Sequence, residues 1–155
     1  MLPNAGQLIS DFTRVSAIAG MPIKEHEIRH EFLRAPHQSP RLPKESYALY
    51  VFSLTCEELV VLKVGKAGPN SAARFESQHY LPRSCNSNLG KSIVAGGSHW
   101  SKLGISAIEE DTVGEWLRSN TDRDHFFLNC GPSIVFLINL FEAFLQCKLR
   151  PLFEG

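Results

Sequence analysis

Residues 47–68, YALYVFSLTCEELVVLKVGKAG, constrain the fold of this chain more than any other stretch. Two runs rich in β-branched and aromatic residues flank the polar TCEE. That pattern predicts an antiparallel hairpin with strands over Tyr47–Leu54 and Leu59–Gly65. Lys63 interrupts the second run, where a strand ordinarily places another aliphatic. Strand alternation sets Val61, Lys63 and Gly65 on one face and Val60, Leu62 and Val64 on the other. On the partner strand Ala48, Tyr50 and Phe52 share a face, as do Tyr47, Leu49 and Val51, so a suitable register brings Tyr50 near Lys63. Gly65 removes bulk beside the lysine and admits a ligand or a backbone. The alternative for Lys63 is an edge-strand lysine with its ammonium in water.

The hairpin sits in a chain of 155 residues, one domain in length. Apolar residues make up 43% and charged ones 21%, which excludes a disordered chain. Before the hairpin, Gln7 to Leu33 reads as helical in pieces, interrupted at Gly20 and Pro22. Ala35 to Pro43 carries three prolines and reads as an extended connector. Residues 1–43 are therefore expected to form a helical arm with its connector, and 44–155 the main domain. After the hairpin, Asn70 or Ser71 caps a helix running to about His79, and NSNLGKSIVAGG and EEDTVGEWLRSN form two more. DHFFLNC reads as a third strand. Beyond Gly131–Pro132, SIVFLINLFEAFLQCKLR is the strongest helix, stopped by Pro151. The expected fold is α+β, a small antiparallel three-stranded sheet flanked by helices.

Several classes drop out. The N-terminal residues lack a basic start followed by an unbroken apolar run, so no signal peptide is expected. Ile134 to Leu145 is interrupted by Asn139 and Glu142 and is too short to cross a bilayer, so no membrane partner is expected. Cys56, Cys85, Cys130 and Cys147 lack metal-pair spacing and read as reduced thiols of a cytoplasmic protein. Formal net charge is zero, yet its distribution is uneven. From Lys63 to Lys102 there are six cations (Lys63, Lys66, Arg74, Arg83, Lys91, Lys102) and one anion (Glu76). From Leu103 to Leu128 six anions face two cations. A basic patch suited to phosphates is thus expected beside an acidic face.

Three further features bear on chemistry. Arg74 falls in the helix after the hairpin, one turn before His79 and Tyr80, where its planar fork suits a phosphate; the alternative is a solvated helix arginine. Glu142 lies inside Phe136–Leu145, a setting in which a carboxylate needs a cation, several donors or a metal ion. Its structural alternative is an ion pair with Lys148 or Arg150. HEIRH (His26 to His30) satisfies H-E-x-x-H, but Arg29 and Glu31 place charges where zinc-protease helices carry uncharged residues, and no third ligand follows. A solvated amphipathic helix is the better reading there.

In their order along the chain these residues resemble the GIY-YIG nuclease superfamily. Ala48-Leu49-Tyr50 matches the first strand motif, with Tyr50 on the diagnostic tyrosine. Lys63-Val64-Gly65 matches the second, with Lys63 where the second tyrosine usually stands; some restriction endonucleases of the superfamily also have lysine there. Arg74 matches the helix arginine and Glu142 the metal-binding glutamate. The asparagine often found near the end of the core is replaced within PLFEG, at Glu154. The resemblance covers Tyr47 to Gly155 and implies a metal-dependent endonuclease acting on DNA. Tyr50 and Lys63 would activate water, Arg74 would clamp the scissile phosphate, and Glu142 would hold one Mg²⁺ or Mn²⁺. His79 and Lys66 are the expected substrate-binding residues. In so small a domain, specificity is expected to come from a homodimer, a partner protein or the N-terminal arm. The alternative is a catalytically inactive nucleic-acid-binding or interaction module of the same fold.

Overall fold

Four strands form the sheet, one more than the sequence predicts. The computed structural model describes residues 2–56, 58–81, 87–129 and 134–153. In chain order the elements are α1 (Ala5–Ile18), β1 (Ile28–Leu33), β2 (Tyr47–Thr55), β3 (Leu59–Ala67), α2 (Ala72–Glu76), α3 (Asn88–Ala95), α4 (Gly97–Lys102), α5 (Val113–Asn120), β4 (Asp122–Leu128) and α6 (Ile134–Leu149). Short 3₁₀ turns occupy Glu25–Glu27 and Pro69–Ser71. The strands lie in the order β1-β4-β2-β3, and each neighbouring pair is antiparallel. Arg83, Cys85, Cys130, Gly131, Pro132 and Glu154, named above, lie outside the described residues.

The additional strand is β1, from a segment expected to be helical. Its sequence, IRHEFL, is polar enough to suit an amphipathic helix, and an edge strand accepts the same charges. Edge position is set by the tertiary fold, so local pattern did not reveal it. HEIRH accordingly has no helix: His26 sits in a 3₁₀ turn and His30 in β1. His30 Nε2 lies 2.7 Å from Oδ1 of Asp124, a fully buried β4 carboxylate that also accepts the Leu2 N–H at 3.0 Å. That carboxylate ties the N-terminal segment and β1 to the centre of the sheet.

Both faces of β2 and β4 are covered, which explains their nearly unbroken apolar runs. On one face α1 and α6 pack over Leu49, Val51, Val61, Val64, Phe126 and Leu128. The Phe12 and Phe141 rings stack there with centroids 4.0 Å apart. On the other face α2 to α5 contribute Phe75, Leu89, Ile93, Trp100, Val113 and Leu117 to a second core over Tyr50, Phe52 and Phe127. Each fully buried side chain of this size contributes about 1.5–3 kcal/mol. α6 buries the stripe Leu137, Ile138, Phe141 and Leu145 and leaves Val135 and Phe136 exposed. Glu142 therefore lies beside a buried stripe on a helix with a solvated side, not within an all-round apolar helix. Among the described residues no helix is long and apolar enough to cross a membrane. Cys56 and Cys147 are exposed free thiols.

A β-bulge answers part of the Lys63 anomaly. Tyr50 pairs with Gly65 and Phe52 with Lys63, but Ser53 pairs with Val61, so Leu62 is the extra residue. Alternation fails at that point: Leu62 joins the core on the Tyr50 face, while Val61 joins the α1/α6 core. The expected grouping of Val61 with Lys63 is thereby corrected. β3 is an edge strand, and its bulged rim is covered by the C-terminal segment, whose Leu152 and Phe153 N–H groups donate to the carbonyls of Val61 (2.8 Å) and Leu62 (3.0 Å).

The expected helices are present but shorter. α2 ends at Glu76 rather than near His79, and the acids Glu109–Asp111 precede α5 instead of opening it. α4 follows Gly96 directly, where the glycine pair was expected to end helical structure. Gly114 in α5 shows how closely the second layer is packed: a Cβ there would lie 2.3 Å from the backbone oxygen of Tyr80. In an open helix Gly→Ala gains up to about 1 kcal/mol. Here Gly114→Ala is expected to lose about 1–3 kcal/mol, because neither backbone can yield cheaply. Urea denaturation measures it; equal or greater stability would show that the two segments separate freely.

Candidate active-site cleft at the rim of the sheet

The cleft at the β3 rim is lined by all six residues expected to serve as catalytic, substrate-binding or metal-binding groups. It has a volume of about 590 Å³ and is lined by Tyr50 of β2, Lys63, Gly65 and Lys66 of β3, Arg74 of α2, His79, and Glu142 of α6. Its position follows from the topology: β3 is the edge strand, so α2 and α3 on one face of the sheet and α6 on the other meet around it. Gln78, Asn88 and Gln146 add amide groups that sequence reasoning passed over.

Tyr50 is placed by its strand partner. A Cβ on Gly65 would lie 2.4 Å from the Tyr50 ring, so the phenol lies directly across the glycine. The group that the missing side chain admits is thus the tyrosine ring rather than an incoming ligand or backbone. The ring is 2% exposed and meets Phe52, Phe75 and His79 edge-on. Its hydroxyl lies 3.0 Å from His79 Nε2, and His79 Nδ1 lies 2.9 Å from Ser87 Oγ. Ser87 is in turn fixed as the N-cap of α3, accepting the Gly90 N–H at 3.1 Å. A neutral imidazole offers one donor and one acceptor, so the Tyr50–His79–Ser87 chain can run in either direction.

His79 is held in that neutral form. Burial first, then the charges of Arg123, Lys63 and Arg74, push its pKa down to about 3. His79, expected as a substrate-binding residue, lines the cleft uncharged at neutral pH, with its two ring nitrogens turned to Tyr50 and Ser87. Arg74 is exposed and keeps its guanidinium available at the cleft. It lies in the last turn of a five-residue helix, too short for backbone N–H groups at its start to matter, so the side chain alone supplies this positive pole.

Lys63 is half-buried and its ammonium donates to the Phe153 carbonyl at 3.3 Å, anchoring the C-terminal segment to the rim. Lys66 pairs with Glu142 at 2.5 Å. The ion pairs considered for Glu142 from the sequence, with Lys148 or Arg150, are replaced by this one; Lys148 binds Asp11 at 3.2 Å instead. Among the described residues no group of three or more His, Cys, Asp and Glu side chains is arranged to hold a metal ion. A divalent cation in this cleft would have Glu142 as its protein carboxylate and take its other oxygens from phosphate and water. Mg²⁺ commonly binds in that way, so the residues present fit such an ion.

Behind Tyr50, β4 contributes two groups that the sequence reading missed. Arg123 is fully buried; it donates to the Tyr80 hydroxyl at 2.7 Å and the Phe75 carbonyl at 2.8 Å. Its guanidinium carbon lies 5.0 Å from the Tyr50 ring centroid, 4.8 Å from Phe52 and 4.6 Å from Phe75. Burial lowers its pKa, and the Tyr80 and Tyr50 oxygens act in the opposite direction. His125, opposite Tyr50 in the β2–β4 register, is pushed to about 2, by burial and then by Arg123. The available signal was DRDHFFL itself, charged residues within a strand sequence that proved to be central.

No family model, curated protein or solved structure matches the chain.

Proposed function

We propose that the protein is a divalent-metal-dependent endonuclease of GIY-YIG type that hydrolyses phosphodiester bonds in DNA. One observation carries the reading: Tyr50, Lys63, Arg74 and Glu142, far apart in sequence, line a single cleft. Hydrolysis requires a water that loses a proton as it attacks phosphorus, and a P–O bond that breaks as the leaving oxygen gains one. Tyr50, oriented by His79, is the group to receive the water proton. A free phenol, with a pKa near ~10, is a poor base at neutral pH, and nearby cations favour its anion. Lys63 and Arg74 are cations lining the same cleft, and Arg123 lies behind the ring. Arg74 meets the non-bridging phosphate oxygens with two parallel donors. Glu142 would hold Mg²⁺ or Mn²⁺, which supplies charge neutralisation at the phosphate.

The second reading, a nucleic-acid-binding module of the same fold without turnover, draws support from the Lys66–Glu142 pair, which occupies the expected metal carboxylate. Supercoiled plasmid separates the two. The endonuclease nicks or linearises it with Mg²⁺ or Mn²⁺ and not with EDTA, and Tyr50→Phe slows cleavage by about 10²–10⁴-fold. A gel shift of DNA without cleavage under either metal supports the module. Neither binding nor cleavage overturns both.

A further inference from the structure

Lys66 stands at a junction. It lines the main cleft and also an adjoining second cleft of about 220 Å³, which includes Tyr47, Gly68, Asn70, Ser71, Val135 and Asn139. Arg74 lines both as well. The Lys66 ammonium lies 2.5 Å from Glu142 Oε2, with side chains 39% and 19% exposed. A lysine head on a four-carbon stem can be redirected with little loss of packing. An ammonium and a divalent cation cannot both sit against the same carboxylate oxygen: the doubly charged ion would be repelled by the lysine until the lysine leaves.

We propose that Lys66 is a tethered counter-ion of Glu142 that a divalent cation displaces, and that the displaced ammonium then binds a phosphate oxygen of the nucleic acid along the second cleft. The proposal rests on the nuclease reading of this site. The exchange couples the two ligands. Without the metal, Lys66 neutralises Glu142 and is withheld from phosphate; with it, the carboxylate is neutralised by the metal and a cation is released towards the substrate. The second cleft suits a stretch of nucleic acid beside the scissile phosphate. Apolar side chains (Tyr47, Val135) can pack against sugar and base, and the Asn70 and Asn139 amides offer hydrogen bonds.

The test measures Mn²⁺ binding to the full chain by the electron-spin-resonance signal of the free ion. Lys66→Met and Lys66→Gln are expected to bind Mn²⁺ about fivefold more tightly than wild type, the scale of a partly exposed ion pair, and Glu142→Gln to lose binding. In the wild-type protein, the amine acylation rate of Lys66, read by mass spectrometry against exposed Lys102, is expected to rise when Mn²⁺ is added. With Ca²⁺ present, Lys66→Met is expected to lower the salt dependence of DNA binding by about one phosphate contact, and to leave it unchanged in EDTA. Lys66 variants that bind Mn²⁺ no more tightly, while Glu142→Gln abolishes binding, overturn the exchange and leave the metal assignment standing. Equal loss of salt dependence with and without Ca²⁺ also overturns it. Unchanged Mn²⁺ binding in Glu142→Gln, or none in any variant, overturns the metal assignment and the exchange with it.

Discussion

Glu142→Ala is expected to reduce metal-dependent DNA cleavage by at least about 10³-fold while changing stability by less than about 1 kcal/mol. The two magnitudes separate because the side chain occupies two different contexts. Chemically, it is the carboxylate that lines the cleft with Tyr50, Lys63 and Arg74, so its loss removes the expected metal ligand. Structurally, it is partly solvated beside the buried stripe of α6, and its partner Lys66 is 39% exposed. A lysine left without its carboxylate there turns into water and is not stranded in the core. Exposed or partly exposed pairs contribute about 0–1 kcal/mol, and alanine favours the helix. Plasmid cleavage and urea denaturation on one preparation check both halves. Undiminished cleavage removes Glu142 from the chemistry, whereas a large fall in stability makes the ion pair a structural element instead.

Arg123 carries the largest expected effect on stability. Arg123→Ala is expected to cost about 3–5 kcal/mol, because it opens a cavity among Tyr50, Phe52, Phe75 and Tyr80 and removes the donors of the Tyr80 hydroxyl and the Phe75 carbonyl. Arg123→Met is the informative comparison. It keeps most of the volume and abolishes the cost of burying a guanidinium, which offsets part of the lost hydrogen bonding. The methionine variant is therefore expected to be at least about 2 kcal/mol more stable than the alanine one. Denaturant midpoints decide it. Equal losses in the two would mean that the positive charge, rather than the space it fills, holds these rings together.

The hairpin was legible because two apolar runs meet at a polar turn, and α6 because a long apolar segment stops at Pro151. The cleft was legible for a different reason. Tyr50, Lys63, Arg74 and Glu142 come in an order with a family resemblance, and a carboxylate within an apolar stretch of sequence points to a partner, though its helix proved to have a solvated side. What escaped was set by tertiary position. β1 is an edge strand whose charges read as a helix surface, and the Leu62 bulge has no local signature. Arg123 and Asp124 counted as surface charge in the sequence, yet both are fully buried, one on each face of β4. Their burial is decided by β4 lying between β1 and β2, a fact of pairing that residue type does not encode. The neutral state of His79 was equally hidden, since burial comes first and the cations that add to it come from three separate elements.

The contact between residues 152–153 and β3 has a bearing on self-association. A bulged edge next to the cleft is where a second molecule could extend the sheet, and the Val61 and Leu62 carbonyls that such a docking strand would need are already engaged. At this edge, residues 152–153 thus take the place that an added strand would occupy. Because Lys63 holds the same tail through Phe153, loosening it would disturb the cleft and open the rim together.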